Sequence, residues 1–172
     1  MNAGVTLVLG GAGSGKSLYA ENLMNDYPDC LYIATAEARD RDMQHRIHKH
    51  QQRRGEQWQL IEEKIDIAEI IAAKARPKRP LLVDCLTLWL ANLLETENNP
   101  ELAFHKLAEV LKSVTGPVVL VSNEVGLGGI AATAETRKFM DHQGRLNQVI
   151  ANVADRVILV IAGQALTLKE TS

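Results

Sequence analysis

Val5-Thr6-Leu7-Val8-Leu9 is a β-rich apolar run that ends in Gly10-Gly11-Ala12-Gly13-Ser14-Gly15-Lys16-Ser17. This G-x-x-x-x-G-K-S spacing, set between a strand and a helical pattern, constrains the chain more than any other feature. The glycines let successive backbone N–H groups turn inward around phosphate oxygens. The helix that starts at Lys16 adds the positive end of its dipole. Lys16 can reach the β- and γ-phosphates of a nucleotide, and Ser17 can ligate Mg²⁺. All eight residues from Gly10 to Ser17 are therefore candidate nucleotide contacts.

Downstream, short apolar runs alternate with helical patterns. Strands are expected at Cys30–Thr35, Trp58–Ile61, Leu81–Cys85, Val118–Val121, Val157–Ile161 and Leu166–Leu168. Helices are expected from Lys16 to about Asn25, from about Asp40 to Arg54, and over Ile65–Ala75, Leu86–Leu94, Leu102–Leu111 and about Thr133–Val153. Several strands are continuously apolar, which is the mark of a parallel sheet covered on both faces. The expectation is an α/β three-layer sandwich of the RecA-like P-loop type, with residues 1–172 forming one domain.

Composition excludes other classes. The 19 basic and 21 acidic side chains nearly balance at a net charge of −2, which leaves no electrostatic footprint for nucleic acid or an anionic membrane. No apolar run approaches the ~18 residues of a membrane span, and Met1-Asn2-Ala3-Gly4 lacks a basic leader, so a cytosolic protein is expected. Cys30 and Cys85 form no C-x-x-C pair and read as small buried side chains.

Two further features bear on chemistry. Asp84 closes an apolar strand, where an acid can ligate the nucleotide's metal. An acid there can equally cap the helix that follows. Arg46, His50 and Arg54 are spaced i, i+4, i+8 and share one face of a polar helix. Guanidiniums on either side keep an imidazole neutral and nucleophilic, and they can hold phosphate oxygens around it. The alternative is a solvated charged face. His45, His48, His105 and His142 have no comparable setting. Glu124, beside the Gly-rich loop Asn123–Gly129, is either an acceptor-side base or a structural loop acid.

These residues resemble the bifunctional adenosylcobinamide kinase and adenosylcobinamide-phosphate guanylyltransferase family of cobalamin biosynthesis. The resemblance runs nearly end to end. It rests on the P-loop, Tyr32-Ile33-Ala34-Thr35, Arg46-Ile47-x-x-His50-x-x-x-Arg54 with Trp58, Asp84-Cys85-Leu86-Thr87 with Trp89 and Asn92, Ser122-Asn123-Glu124-Val125-Gly126-x-Gly128, and Gly144-Arg145-Leu146-Asn147-Gln148. It implies phosphorylation of adenosylcobinamide by ATP or GTP, then transfer of GMP from GTP onto the product through a guanylylated histidine, which falls on His50. It places nucleotide contacts on Gly10 to Ser17, on Thr35, Ala36 and Glu37, on Gln51, Gln52, Arg53 and Arg54, on Glu62 and on Asp84. It also implies a homotrimer. Mg²⁺ accompanies the nucleotide substrates, and no tightly bound organic cofactor is expected. Gly13 stands where members often carry arginine, and Gly55 and Ala131 replace prolines. The competing readings are a simple P-loop kinase for another small molecule and a non-catalytic nucleotide switch. The chain has no N-K-x-D guanine-reading element, since Glu124 follows Asn123.

Overall fold

A computed structural model describes residues 4–36, 55–96, 99–129 and 131–171. Among these residues seven strands form one sheet: β1 (Val5–Gly10), β2 (Cys30–Ala34), β3 (Trp58–Glu62), β4 (Leu81–Asp84), β5 (Val118–Asn123), β6 (Arg156–Ile161) and β7 (Gln164–Glu170). The α-helices among the described residues are α1 (Lys16–Asn22), α2 (Ile67–Lys74), α3 (Leu86–Thr96), α4 (Glu101–Ser113) and α5 (Ala134–Val153). The strand order is β3-β2-β4-β5-β1-β6-β7. Every pairing is parallel except β6 with β7.

Side-chain alternation divides the sheet into two faces. Val8, Tyr32, Leu82, Val119, Val121, Ile158 and Val160 pack with Ala20 and Met24 of α1. Leu7, Ile33, Val83, Leu120 and Val157 pack in the larger core, with residues of α2, α3, α4 and α5. Both faces of the central strands are thus apolar, which explains their unbroken Val/Leu/Ile runs. In α4, Phe104, Leu107, Ala108 and Leu111 are buried at i, i+3, i+4 and i+7, one helical stripe turned into the larger core. Among the described residues no helix is long and apolar enough to cross a membrane.

Some boundaries differ from the sequence expectation for local reasons. The first helix ends at Asn22 and continues as turns, with Met24 N–H donating to the Glu21 carbonyl (3.0 Å) and Tyr27 N–H to that of Met24 (3.1 Å). Asn25, Asp26 and Pro28 favour turns over helix. The helix expected from Ile65 starts at Ile67 because the Glu63 carboxylate accepts the N–H groups of Ile65 (2.8 Å) and Asp66 (2.9 Å). Those bonds hold the Glu63 carboxyl below its ordinary range. The last strand runs over Gln164–Glu170, longer than the expected Leu166–Leu168, because it pairs with β6 across a tight turn. Ala162 and Gly163 both take positive φ there (51° and 75°), as a two-residue turn of this hand requires. The polar helix expected over 40–54 lies outside the described residues.

Trp89 on α3 ties the layers together. It is 1% exposed, its indole Nε1 donates to the Ile65 carbonyl at 2.8 Å, and its ring lies 6.1 Å from that of Phe104. Trp89→Ala is expected to cost about 3–5 kcal/mol. Urea unfolding measures it as a lowered midpoint with an unchanged slope.

Candidate nucleotide and transfer site

The phosphate cradle is built by backbone geometry. Gly13 and Gly15 take φ values of 71° and 93°, which glycine adopts without the steric cost of a Cβ. Gly10 needs its bareness for another reason: a Cβ there would lie 2.6 Å from the Val160 carbonyl oxygen and against the Ser14 hydroxyl. Gly15 precedes the first turn of α1, so the free N–H groups of that turn face the loop. The β6–β7 turn braces the loop from outside, with Gly163 N–H donating to the Ser14 carbonyl at 2.9 Å. Lys16 Nζ donates to the Gly11 carbonyl at 3.1 Å, so its ammonium is folded over the loop.

The Asp84 strand does not adjoin the P-loop strand: β5 lies between β4 and β1. The carboxylate nevertheless belongs to the same face as the P-loop helix. Leu82 of β4 packs on the α1 side, and Asp84, two residues on, projects to that side too. α1 spans the gap by packing over β4 as well as β5, β1 and β6. Burial pushes the Cys85 thiol up to about 11, the Asp84 carboxylate adds to the rise, and Lys16 opposes it.

Asp84 is held by a relay of buried groups. Tyr32 OH donates to its Oδ2 at 2.8 Å. Thr35, fully buried, donates its hydroxyl to the Cys85 carbonyl (2.7 Å) and accepts the Cys85 N–H (2.9 Å). Asn92 Nδ2 on α3 donates in turn to the Thr35 carbonyl (2.9 Å). The resemblance assigned Thr35 to nucleotide contact. Its hydroxyl fixes the turn directly after Asp84. Asn92 and Tyr32 belong to the motifs that carry the resemblance, and an isolated polar residue in an apolar segment is their only sequence signal.

The remaining candidates occupy the same sheet edge or lie outside the described residues. Glu62 ends β3, exposed, in register with Ala34, which pairs on its other side with Asp84. Ala36 is half-buried just after β2. Glu124 Oε1 accepts the Gly126 N–H at 2.8 Å, which ties the Gly-rich loop to its start. His105 is exposed and His142 half-buried. Glu37, Arg46, His50, Gln51, Gln52, Arg53 and Arg54 are outside the described residues. Among those described, no group of three or more His, Cys, Asp or Glu side chains could hold a metal ion. A metal here would need the nucleotide's own phosphates as ligands, the usual habit of Mg²⁺.

A glycine-rich loop on β1, a carboxylate two strands away and a parallel sheet between two helical layers define a P-loop nucleotide-binding protein of RecA-like fold. Solved structures agree on the fold. The chain aligns with the P4 protein of bacteriophage φ6 in complex with ADP at a TM-score of 0.55 and 16% identity, covering 99% of this chain and 56% of that one. It aligns with an ATPase from the type III secretion system of pathogenic bacteria at 0.59 and 13%, covering 96% and 57%. The family model for cobinamide kinase / cobinamide phosphate guanyltransferase matches residues 6–168, and the chain belongs to that family. It is 42% identical over 166 residues to the bifunctional adenosylcobalamin biosynthesis protein CobP of Pseudomonas aeruginosa, covering 95% of this chain and 96% of that one. It is 36% identical over 180 residues to the bifunctional CobU protein of Escherichia coli, covering 95% and 98%.

Thr35→Val keeps the shape and removes both bonds to Cys85. The expected outcome is a loss of about 1–3 kcal/mol in urea unfolding, together with weaker Mg²⁺–GTP binding in a titration. Thr35→Ser is expected to restore both.

Proposed function

We propose that this chain carries out both reactions of its family in one domain spanning residues 1–172. The carrying observation is the family match over 6–168 together with a formed P-loop and a braced Asp84 on one sheet face. In the first reaction the hydroxyl oxygen of adenosylcobinamide attacks the γ-phosphorus of ATP or GTP. The bond from that phosphorus to the β-bridging oxygen breaks, the nucleoside diphosphate leaves with the electron pair, and the acceptor's hydroxyl proton passes to solvent. Loop N–H groups and Lys16 hold the phosphates in line and offset charge on the leaving oxygen.

The second reaction needs a nucleophile at a different phosphorus. A neutral ring nitrogen of His50 attacks the α-phosphorus of GTP, and pyrophosphate leaves. The phosphate oxygen of adenosylcobinamide phosphate then attacks that α-phosphorus. The N–P bond breaks, and adenosylcobinamide-GDP forms as the imidazole returns to its neutral state. Arg46 and Arg54, one helical turn to either side of His50 in the sequence pattern, offset charge on the phosphoryl oxygens. Glu37, Gln51, Gln52, Arg53 and Glu62 complete the nucleotide contacts in this reading. The Ser17 hydroxyl and Asp84 carboxylate are hard oxygen donors that suit Mg²⁺. When bound, that ion neutralises phosphate charge. The protein works in the cytoplasm as a homotrimer.

Incubation with Mg²⁺ and GTP radiolabelled at the α-phosphorus, without corrinoid, is expected to give protein-bound label that is acid-labile and base-stable. His50→Ala is expected to abolish that label while still binding GTP. Wild-type label should chase onto adenosylcobinamide phosphate. A wild type that binds GTP and takes no label would leave a simple kinase as the better reading.

A further inference from the structure

α5 carries a glycine that its own fold does not require. Gly144 sits inside the 20-residue helix and takes no positive φ. A Cβ built on it would meet no atom within 4 Å beyond its own stretch of helix. Glycine inside a helix costs stability relative to alanine. Neither backbone geometry nor close packing offsets that cost here, so what the bare position provides is space.

That space is a groove. Gly144, Gln148 and Ala151 stand at i, i+4 and i+7 on one face of α5. With Leu9 of β1, Val157 of β6 and Leu168 of β7 they line a cavity of about 540 Å³. The hairpin wall is apolar and open to solvent. Leu166 pairs with Leu159, which packs against the larger core, so Leu166 shares the α5 side of the sheet. Ile161, two residues after Leu159, does too. Ile161, Leu166 and Leu168 are 57%, 58% and 53% exposed. Large aliphatic side chains gathered on one open strip mark a surface that binds something.

The groove leads to the phosphate cradle. Glu124 also lines it, and the Glu124 N–H donates to the Gly10 carbonyl at 3.1 Å. The apolar strip ends at the same loop, because Ile161 runs into the turn whose Gly163 N–H holds the Ser14 carbonyl. A ligand lying along α5 therefore reaches the carboxyl ends of β1 and β5, the edge at which open α/β sheets bind ligands. Charge is unevenly placed along the groove. At one end Lys169 Nζ donates to the Ala151 (3.0 Å) and Asn152 (3.1 Å) carbonyls, where the helix C-terminus offsets its charge. At the cradle end stands the Glu124 carboxylate. Gln148 and Asn152, one helical turn apart, add primary amides to the wall.

We propose that this groove is the acceptor site: the corrin ring of adenosylcobinamide lies between α5 and the β6–β7 hairpin, with its hydroxyl-bearing arm at the Glu124 end, toward the phosphates. The inference rests on the kinase reading above. A corrinoid suits these walls in three respects. Its methylated macrocycle covers the aliphatic strip. Its fringe of primary carboxamides both donates and accepts, as the amides of Gln148 and Asn152 do. Its net positive charge is complemented by the Glu124 carboxylate. The open hairpin side leaves room for the parts of so bulky a ligand that the groove does not enclose.

The test is equilibrium dialysis of adenosylcobinamide in the dark, read by corrin absorbance, on wild type, Gly144→Leu, Gln148→Ala and Leu102→Ala. Mg²⁺–GTP affinity, urea unfolding, sedimentation and γ-phosphoryl transfer are measured alongside. Gly144→Leu is expected to raise the urea midpoint, since leucine is the better helix former, and yet to weaken adenosylcobinamide about tenfold or more by filling the groove. Its KM for adenosylcobinamide should rise to match, with GTP affinity unchanged. Gln148→Ala should weaken adenosylcobinamide severalfold, the size of one hydrogen bond. Leu102, exposed on α4 and outside the groove, should tolerate alanine with no change in either affinity. Unchanged adenosylcobinamide affinity in both groove variants, with phosphoryl transfer intact, would overturn the groove and leave the kinase reading standing. Parallel losses of GTP and corrinoid would make the effect structural and overturn it as well. Groove variants that change the sedimentation of the corrinoid-free protein would assign the groove to a second copy of the chain, also overturning it. A wild type that binds adenosylcobinamide with the expected variant pattern yet transfers no phosphoryl group would defeat the kinase reading and leave the groove standing.

Discussion

The site depends on the parallel register at the carboxyl ends of β4, β5 and β1. Parallel pairing brings Gly10 alongside Asn123 and Val121 alongside Asp84. Alternation then sends both polar side chains to the face that α1 covers. A one-residue slip of β4 would turn Asp84 into the larger core and Val83 toward the phosphates. That slip is resisted because Leu81 and Val83 are fully buried on one side and Leu82 on the other. The apolar pattern that stabilises the sheet is therefore the same pattern that aims the acid.

Around this register, buried polar contacts act as spacers. Thr35, Asn92 and Tyr32 fix Asp84 and the turn after it from β2 and α3. Ser122, Gln143 and Asn147 tie the end of β5 to α5. Each would cost free energy as an isolated buried polar group. Paired, each fixes a strand end that apolar packing alone would leave free to shift. The Gly163 N–H on the Ser14 carbonyl does the same for the loop from the antiparallel edge.

Much of this was legible in the sequence because it is local. The P-loop announces itself through glycine spacing, and the central strands through unbroken apolar runs of three or four residues. What sequence could not supply was strand order. Nothing in the spacing of Asp84 tells whether its strand adjoins β1, and the structure inserts β5 between them. Nor could it show the hydrogen bonds that tie the Thr35 hydroxyl to the Cys85 backbone. Such a pairing spans 50 residues and has no periodic signature. Helix ends were set by single side chains, Glu63 at the start of α2 being the clearest, where a carboxylate two residues upstream captures the N–H groups.

The central claim, that one chain passes two different phosphoryl groups to one acceptor, is tested most directly by product analysis. Wild-type protein would be incubated with Mg²⁺, adenosylcobinamide and GTP carrying distinguishable radiolabels at the α- and γ-phosphorus. The account predicts a single end product, adenosylcobinamide-GDP, bearing both labels, with a singly γ-labelled phosphate ester accumulating first. A reaction that stops at the γ-labelled ester, or that consumes GTP without labelling the corrinoid at all, would contradict it.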